Sequence, residues 1–360
     1  MNSKPPQPSL NRRNLILGAA AGSLVAGLPP AIGASTARLE IVGPELRQDG
    51  APLRLLGVAV GDPLYIRKGR PTSDYQVIAE VWRANTVRIS LLPGHWRADR
   101  EKALKALGAN VAAARAAGLI VIIAWHAIGF PEHYTERPDP SWNLPDDIYD
   151  TDLSLGINFW TEIAQSFGRN PGVIFELWNE PVVDAKLWVS TGQHWPLLKI
   201  AWLQLLEAVR RHSDAIVLAS GGRWAYDLKM VARNLIDDDR VAYAWHVYPP
   251  ADRGHPGRWL DSLDGLHRMR PIVVTEWGFC RECPSYIRGT PDDFGIPFTR
   301  TVLEGLGLHS TAWCWAGGAA PPMLQEDWVA ATEYGRFVRD YLENAKRPSV
   351  RAPNTPVERP

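Results

Sequence analysis

"VIFELWNEP", residues 173–181, is the stretch on which the fold turns. Its first five residues are a strand-forming run without the regular polar alternation of a solvent-facing strand, so it belongs in a sheet covered on both sides. Asn179 and Glu180 follow, and Pro181 then ends any strand pairing. An acid closing a buried strand has two readings. It starts a helix, where the dipole favours a carboxylate, or it stands where the strand end opens on a cleft.

The same unit, a short apolar run and then a longer amphipathic stretch, recurs along the chain. Strands are predicted at 53–60, 86–90, 119–126, 173–179, 215–221, 241–248, 271–278 and 310–317. Helices are predicted at 72–85, 99–118, 153–167, 196–212, 257–269, 298–307 and 333–345. Eight strands, seven of them followed by a helix, in about 300 residues favour a single closed (β/α)8 TIM barrel, an α/β fold, over an open doubly wound sheet. "RLEIVGPELRQDG", residues 38–50, reads as an N-terminal β-hairpin capping the barrel bottom. One domain over 38–346 accounts for the pattern, and the Pro-rich residues 347–360 read as a disordered tail.

Composition narrows the function. The 360 residues carry 39 basic and 39 acidic side chains with no charge block, which argues against a nucleic-acid partner. Sixteen tryptophans offer many flat apolar faces of the kind that stack on sugar rings. Arg12 and Arg13 precede an apolar run at 15–28 and then small residues, so residues 1–37 resemble a twin-arginine signal peptide and imply an exported, periplasmic or secreted protein. That run is short for a bilayer span, and no membrane span is expected after cleavage. The mature chain is expected to act as a monomer. Cys280 and Cys283 can close a local disulfide, Cys314 reads as a buried thiol, and four ligands at zinc spacing are lacking.

In such a barrel the chemistry gathers at the C-terminal ends of the strands. The residues falling there are Arg88, His126, Asn179, Glu180, Trp224, His246, Tyr248, Glu276 and Trp315. Two carboxylates facing each other across the mouth, Glu180 and Glu276, are the requirement for cleaving a glycosidic bond, and their separation decides between retention and inversion.

"WNEP", "WHVY", "VTEWG" and a Trp ending the last strand resemble glycoside hydrolase family 5, the cellulase family, over nearly the whole chain after the signal. The resemblance implies a β-linked oligo- or polysaccharide substrate, no cofactor and no metal. By it, Glu180 is the general acid/base, Glu276 the nucleophile kept ionised by Arg88 and oriented by Tyr248, and Asn179 the partner of the reacting sugar's 2-hydroxyl. His126 and His246 bind hydroxyls or support the carboxylates, and Trp315 floors the cleaved subsite. "GGRWAYD", with Trp224, is similar to a segment of the family's bacterial endoglucanases, which points to an endo-β-1,4-glucanase. The family usually carries Asp before its Trp-His pair, whereas this chain has Ala124, so the surroundings of His126 are altered.

Other readings remain open. An endo-β-mannanase or an exo-acting β-glucosidase shares these residues, and a retired carbohydrate-binding barrel would be expected to have lost one carboxylate. Metal-dependent barrel hydrolases want a His-x-His pair on the first strand, which "GVAVGD" lacks. Trp142, Trp195 and Trp259 are candidates for outer sugar subsites, and His95, Trp96 and the loop 129–150 for cleft walls. Trp125, Trp178 and Trp277 alternate with site residues and are expected in the core.

Overall fold

The computed structural model describes residues 38–347 apart from 69, 133, 183–193 and 250–255. The expected signal peptide, and the tail beyond Arg347, lie outside the described residues.

The described chain begins with three antiparallel strands, β1 (Leu39–Val42), β2 (Glu45–Gln48) and β3 (Ala51–Leu53). The expected hairpin is therefore present with one strand more. Next come β4 (Leu56–Gly61), β5 (Thr86–Leu91) and β6 (Ile120–Trp125), and after β6 a small hairpin of β7 (Gly129–Phe130) and β8 (Tyr134–Thr135). The series ends with β9 (Val173–Glu176), β10 (Val217–Ser220), β11 (Val241–Val247), β12 (Ile272–Trp277) and β13 (His309–Ala312). Strands β4, β5, β6 and β9 to β13 pair in parallel, in chain order, and β13 closes on β4. This is the (β/α)8 barrel.

Side chains sort by strand alternation into two cores. Ile120 and Ile122 of β6, Ile174 of β9, Leu218 of β10 and Ala242 of β11 point into the barrel, where Leu39 and Leu46 of the N-terminal sheet plug the lower end. Val121, Ile123 and Trp125 of the same β6 point outward, among the helices. The long helices start at side-chain caps: Asp99 accepts from Lys102 N at 3.0 Å before Arg100–Ala116, and Asp152 accepts from Leu155 N at 2.6 Å before Leu153–Phe167.

Some elements are shorter than the pattern predicts. The helix at 257–269 is split, because Asp264 and Gly265 take φ of 45° and 78°, outside helical space. The segment at 72–85 holds a short helix, Asp74–Gln76, that continues as a π-turn, Val77–Val81. The last barrel strand ends at Ala312, five residues before the predicted end at Gly317.

Candidate active site

Each barrel strand delivers its polar residue by the same alternation. On β5, Val87 and Ile89 face the helices, so Arg88 turns inward and is fully buried. On β11, Tyr243, Trp245 and Val247 face outward, which turns His246 inward and leads to Tyr248 just beyond the strand. Strand β12 departs from strict alternation. Trp245 pairs with Val274 but His246 pairs with Glu276, so β12 carries one extra residue, Thr275, as a bulge. The bulge re-aims the strand end and brings both Thr275 and Glu276 into the site. At the end of β9, Asn179 N donates to Trp125 O and Glu180 N to Ala127 O, each at 3.0 Å, which pins the pair against the chain leaving β6.

Arg88 is the hub. Its Nη1 donates to Glu276 Oε1 at 2.7 Å and its Nη2 to Asn179 Oδ1 at 2.7 Å. Its Nε donates to Glu176 Oε2 at 2.5 Å, with Nη2 on the other Glu176 oxygen at 3.2 Å. Tyr248 Oη donates to Glu276 Oε2 at 2.9 Å, so both oxygens of that carboxylate are held. His246 Nδ1 lies 3.0 Å from Glu180 Oε1 and its Nε2 lies 3.0 Å from Thr275 Oγ1. Thr275 in turn donates to Glu176 at 2.9 Å. Ligand atoms of Glu180, His246 and Glu276 lie within 4.8 Å of one another, the one such convergence of metal-ligating groups found among the described residues. Donors within the chain already satisfy it: Arg88 and Tyr248 hold Glu276, and Arg88 places a fixed positive charge beside it.

The two facing acids are driven apart electrostatically. Burial pushes Glu180 up, more than the opposing His246 hydrogen bond pulls it down, and its pKa is raised. Burial would also raise Glu276, but the charges of His246 and Arg88, with the Tyr248 hydrogen bond, outweigh it and its pKa is lowered. Glu176 is likewise opposed by burial yet held down to about 2, chiefly by Arg88. Burial disfavours the His246 cation, but the three surrounding carboxylates raise its pKa to about 9. His126 has no comparable partner; burial lowers it to about 4, so its ring is neutral.

Arg88, Asn179, Glu180, His246, Tyr248 and Glu276 thus come together as one hydrogen-bonded set. His126 lies beside it, its ring stacked on Trp313 at 5.3 Å and 18°. Its Nδ1 is buried without a partner among the described residues, and Ala124, inward on the same strand, offers it no acceptor. Trp224 sits in a run of left-handed residues, φ 58°, 53° and 57° at 223–225, with its backbone N on Pro181 O at 3.0 Å, next to Glu180.

Trp315 corrects the expectation. It packs edge-on against Trp82 at 4.7 Å and donates its indole N–H to Asp74 at 3.1 Å, among the outer helices. Because β13 stops at Ala312, the aromatic at the mouth is Trp313, which clusters with Ala59, Cys314 and Tyr248. Trp195, Trp259 and Trp96 are buried core residues rather than subsite or wall residues, and Trp125, Trp178 and Trp277 are core as expected. His95 is tied to Asp62 at 2.9 Å. Two site residues escaped the sequence reading, Glu176 and Thr275. For Glu176 the available signal was a lone polar residue inside an otherwise apolar buried strand, which has to be paired; Thr275, beside Glu276, carried none.

A closed barrel with paired acids of opposite pKa trend at its strand ends has the architecture of a glycoside hydrolase. The chain belongs to the cellulase family, glycosyl hydrolase family 5, whose profile matches residues 46–318. It is similar to endoglucanase MaCel5A of Microbulbifer sp. (strain ALW1), 23% identical over 324 residues, 82% of this chain and 56% of that protein. It is also similar to endoglucanase N of Pectobacterium atrosepticum, 29% identical over 206 residues, 56% of this chain and 39% of that protein. The chain thus spans about half the length of the curated relatives it matches. Among solved structures, the β-glucanase SdGluc5_26A of Saccharophagus degradans in complex with cellotetraose superposes with a TM-score of 0.75 at 22% identity, covering 89% of this chain and 98% of that one. The catalytic domain of endoglucanase Cel5A of Thermobifida fusca gives 0.67 at 20% identity, covering 85% and 97%. These likenesses show the fold.

Proposed function

We propose that this chain is an exported, retaining endo-β-1,4-glucanase. The observation that carries the reading is the close approach of Glu180 and Glu276, whose nearest oxygens lie within 4.8 Å. Retaining glycosidases keep their carboxyl groups about 5–5.5 Å apart, whereas inverting ones leave about 6.5–9.5 Å for a water.

In this reading Glu276 is the nucleophile. It is ionised, fixed on both oxygens, and attacks the anomeric carbon while Glu180 gives its proton to the departing glycosidic oxygen. Glu180, then a carboxylate, takes a proton from water, which attacks the glycosyl-enzyme ester and releases Glu276. His246 turns Glu180 toward the bond. Asn179 gives its carbonyl oxygen to Arg88, which leaves its amide N–H groups for the 2-hydroxyl of the reacting sugar. Trp313 takes the stacking role. The glucan preference draws on the endoglucanase relatives and on the similarly folded β-glucanase that binds cellotetraose. Export draws on the Arg12-Arg13 segment and on the Cys280–Cys283 disulfide, which suits an oxidising compartment.

The test is a product screen on carboxymethylcellulose, mixed-linkage glucan, mannan and cello-oligosaccharides, with the anomer of the first product read by NMR. A β-anomer from a β-glucan supports the reading; an α-anomer, or activity on mannan alone, refutes it. Glu276→Gln should abolish turnover and leave oligosaccharide binding within about threefold, since it removes only the attacking charge.

A further inference from the structure

On β12 Thr275 faces the barrel interior, one residue before Glu276. Its carbonyl oxygen accepts from Thr311 Oγ1 at 2.7 Å, which ties its backbone to β13. Its hydroxyl stands between two other strands, 2.9 Å from Glu176 Oε1 of β9 and 3.0 Å from His246 Nε2 of β11. Thr275, Glu176 and His246 are all buried. A β-branched side chain is stiff at χ1, so the hydroxyl oxygen keeps this place.

The direction of each bond follows from counting protons. Glu176 is ionised and bound by Arg88 on both oxygens, so it can only accept, and the one hydroxyl proton of Thr275 goes to it. Thr275 Oγ1 is then an acceptor toward His246, and Nε2 must be the donor. Among the described residues no other acceptor reaches that N–H: the nearer Glu176 oxygen stands 3.7 Å away, beyond hydrogen-bond range. The other ring nitrogen, Nδ1, lies 3.0 Å from Glu180 Oε1 and 3.7 Å from Glu276 Oε2. Burial opposes a charge on this ring, but Glu276, Glu176 and Glu180 outweigh it and raise its pKa to about 9. Arg88, bound to two of those carboxylates, and the neutral His126 are the other titratable groups facing it. An imidazolium needs an acceptor at each N–H, and Thr275 supplies the inner one.

We propose that Thr275 is a positioning residue of the acid/base: its hydroxyl, committed to Glu176, accepts the inner N–H of His246 and so holds the charged ring with Nδ1 on Glu180. It acts through His246 rather than on the sugar. Without the hydroxyl, Nε2–H is a buried donor with no partner, which disfavours the cation and loosens the ring against Glu180. This inference rests on the reading of Glu180 as the acid/base.

The experiment reads the ring-nitrogen NMR signals of His246 in histidine-labelled enzyme, assigned by their loss in His246→Gln. It also compares kcat/KM on cellotetraose with that on dinitrophenyl β-cellobioside, whose phenolate departs without needing a proton. In the wild type both ring nitrogens should be protonated near neutral pH; an Nε2 without its proton there would overturn the proposal whatever the variants do. Thr275→Val keeps the shape and removes the acceptor. It should lower the His246 pKa by about one unit or more, a tenfold loss of cation stability. It should also lower kcat/KM on cellotetraose about tenfold and cost the aryl substrate no more than about threefold, which reports that the variant is folded. Thr275→Ser keeps the hydroxyl and drops the methyl, and should bring the cellotetraose rate back to within about threefold of wild type, with the His246 pKa restored. A Ser variant as poor as Val would make Thr275 a packing residue, and equal losses on both substrates would place its effect on Glu276. Either result overturns the proposal, as does a Val variant with an unshifted His246. A wild type with the doubly protonated ring but no turnover of either substrate would overturn the reading of Glu180 instead.

Discussion

Glu176→Gln removes one charge from the centre of the barrel and keeps its shape. Arg88 is fully buried and divides its guanidinium between Glu176, at 2.5 and 3.2 Å, and Glu276, at 2.7 Å. Removing one partner of a buried pair typically costs about 3–5 kcal/mol, because the remaining charge is left uncompensated. Gln keeps one carbonyl acceptor and Arg88 keeps Glu276, so the lower figure applies. A second route gives the same size. Burial would raise Glu176, but Arg88 and the nearby His246 bring it from an ordinary 4.5 down to about 2. A folded-state pKa below the unfolded one contributes stability that is present above the unfolded pKa and lost as pH falls through the folded one. The drop from 4.5 to about 2 corresponds to about 3 kcal/mol at neutral pH. Urea unfolding followed by Trp fluorescence should therefore place the variant about 3 kcal/mol below wild type at pH 7. The gap should narrow to about 2 kcal/mol at pH 3.5, as the unfolded wild-type chain takes up its proton. A variant within about 0.5 kcal/mol of wild type at pH 7, or a gap that does not shrink in acid, would refute the reasoning.

His246 lowers the pKa of both Glu180 and Glu276, so His246→Gln should raise both and move the whole bell of kcat/KM against pH to higher pH; a shift to lower pH contradicts the electrostatics. The two neighbouring tryptophans should separate function from stability. Trp313→Ala should cost at least about tenfold in kcat/KM on cello-oligosaccharides. Trp315→Phe, which loses the hydrogen bond to Asp74 and part of the buried indole packed on Trp82, should lower unfolding free energy by at least about 2 kcal/mol and leave kcat/KM within about twofold. Similar kinetic losses in both variants would mean that the mouth has been misread.

The barrel was legible because its signal is local and repeated. Eight apolar runs without a solvent face, seven of them followed by a helical stretch, leave little besides a parallel sheet covered by helices. The site was legible for residues just beyond a strand, such as Asn179, Glu180 and Tyr248, where the end of an apolar run marks the mouth. It was illegible where alternation breaks. The bulge at Thr275 turns two successive residues inward, and no pattern in "PIVVTEWG" announces it. In "STAWCWAG" the two indoles share the same parity, so only the observed end of β13 at Ala312 gives the mouth to Trp313.

Local pattern in the chain was enough for the eight barrel strands, their closure and the acids at the rim, because hydrophobic periodicity and strand-end position are properties of the chain near each residue. Tertiary structure alone decided the Glu176–Arg88–Glu276 relay, the bridge through Thr275 and the separation of Glu180 from Glu276. Those contacts join residues 29 to 188 positions apart, and they exist only once the barrel has closed and excluded the water that would otherwise screen them.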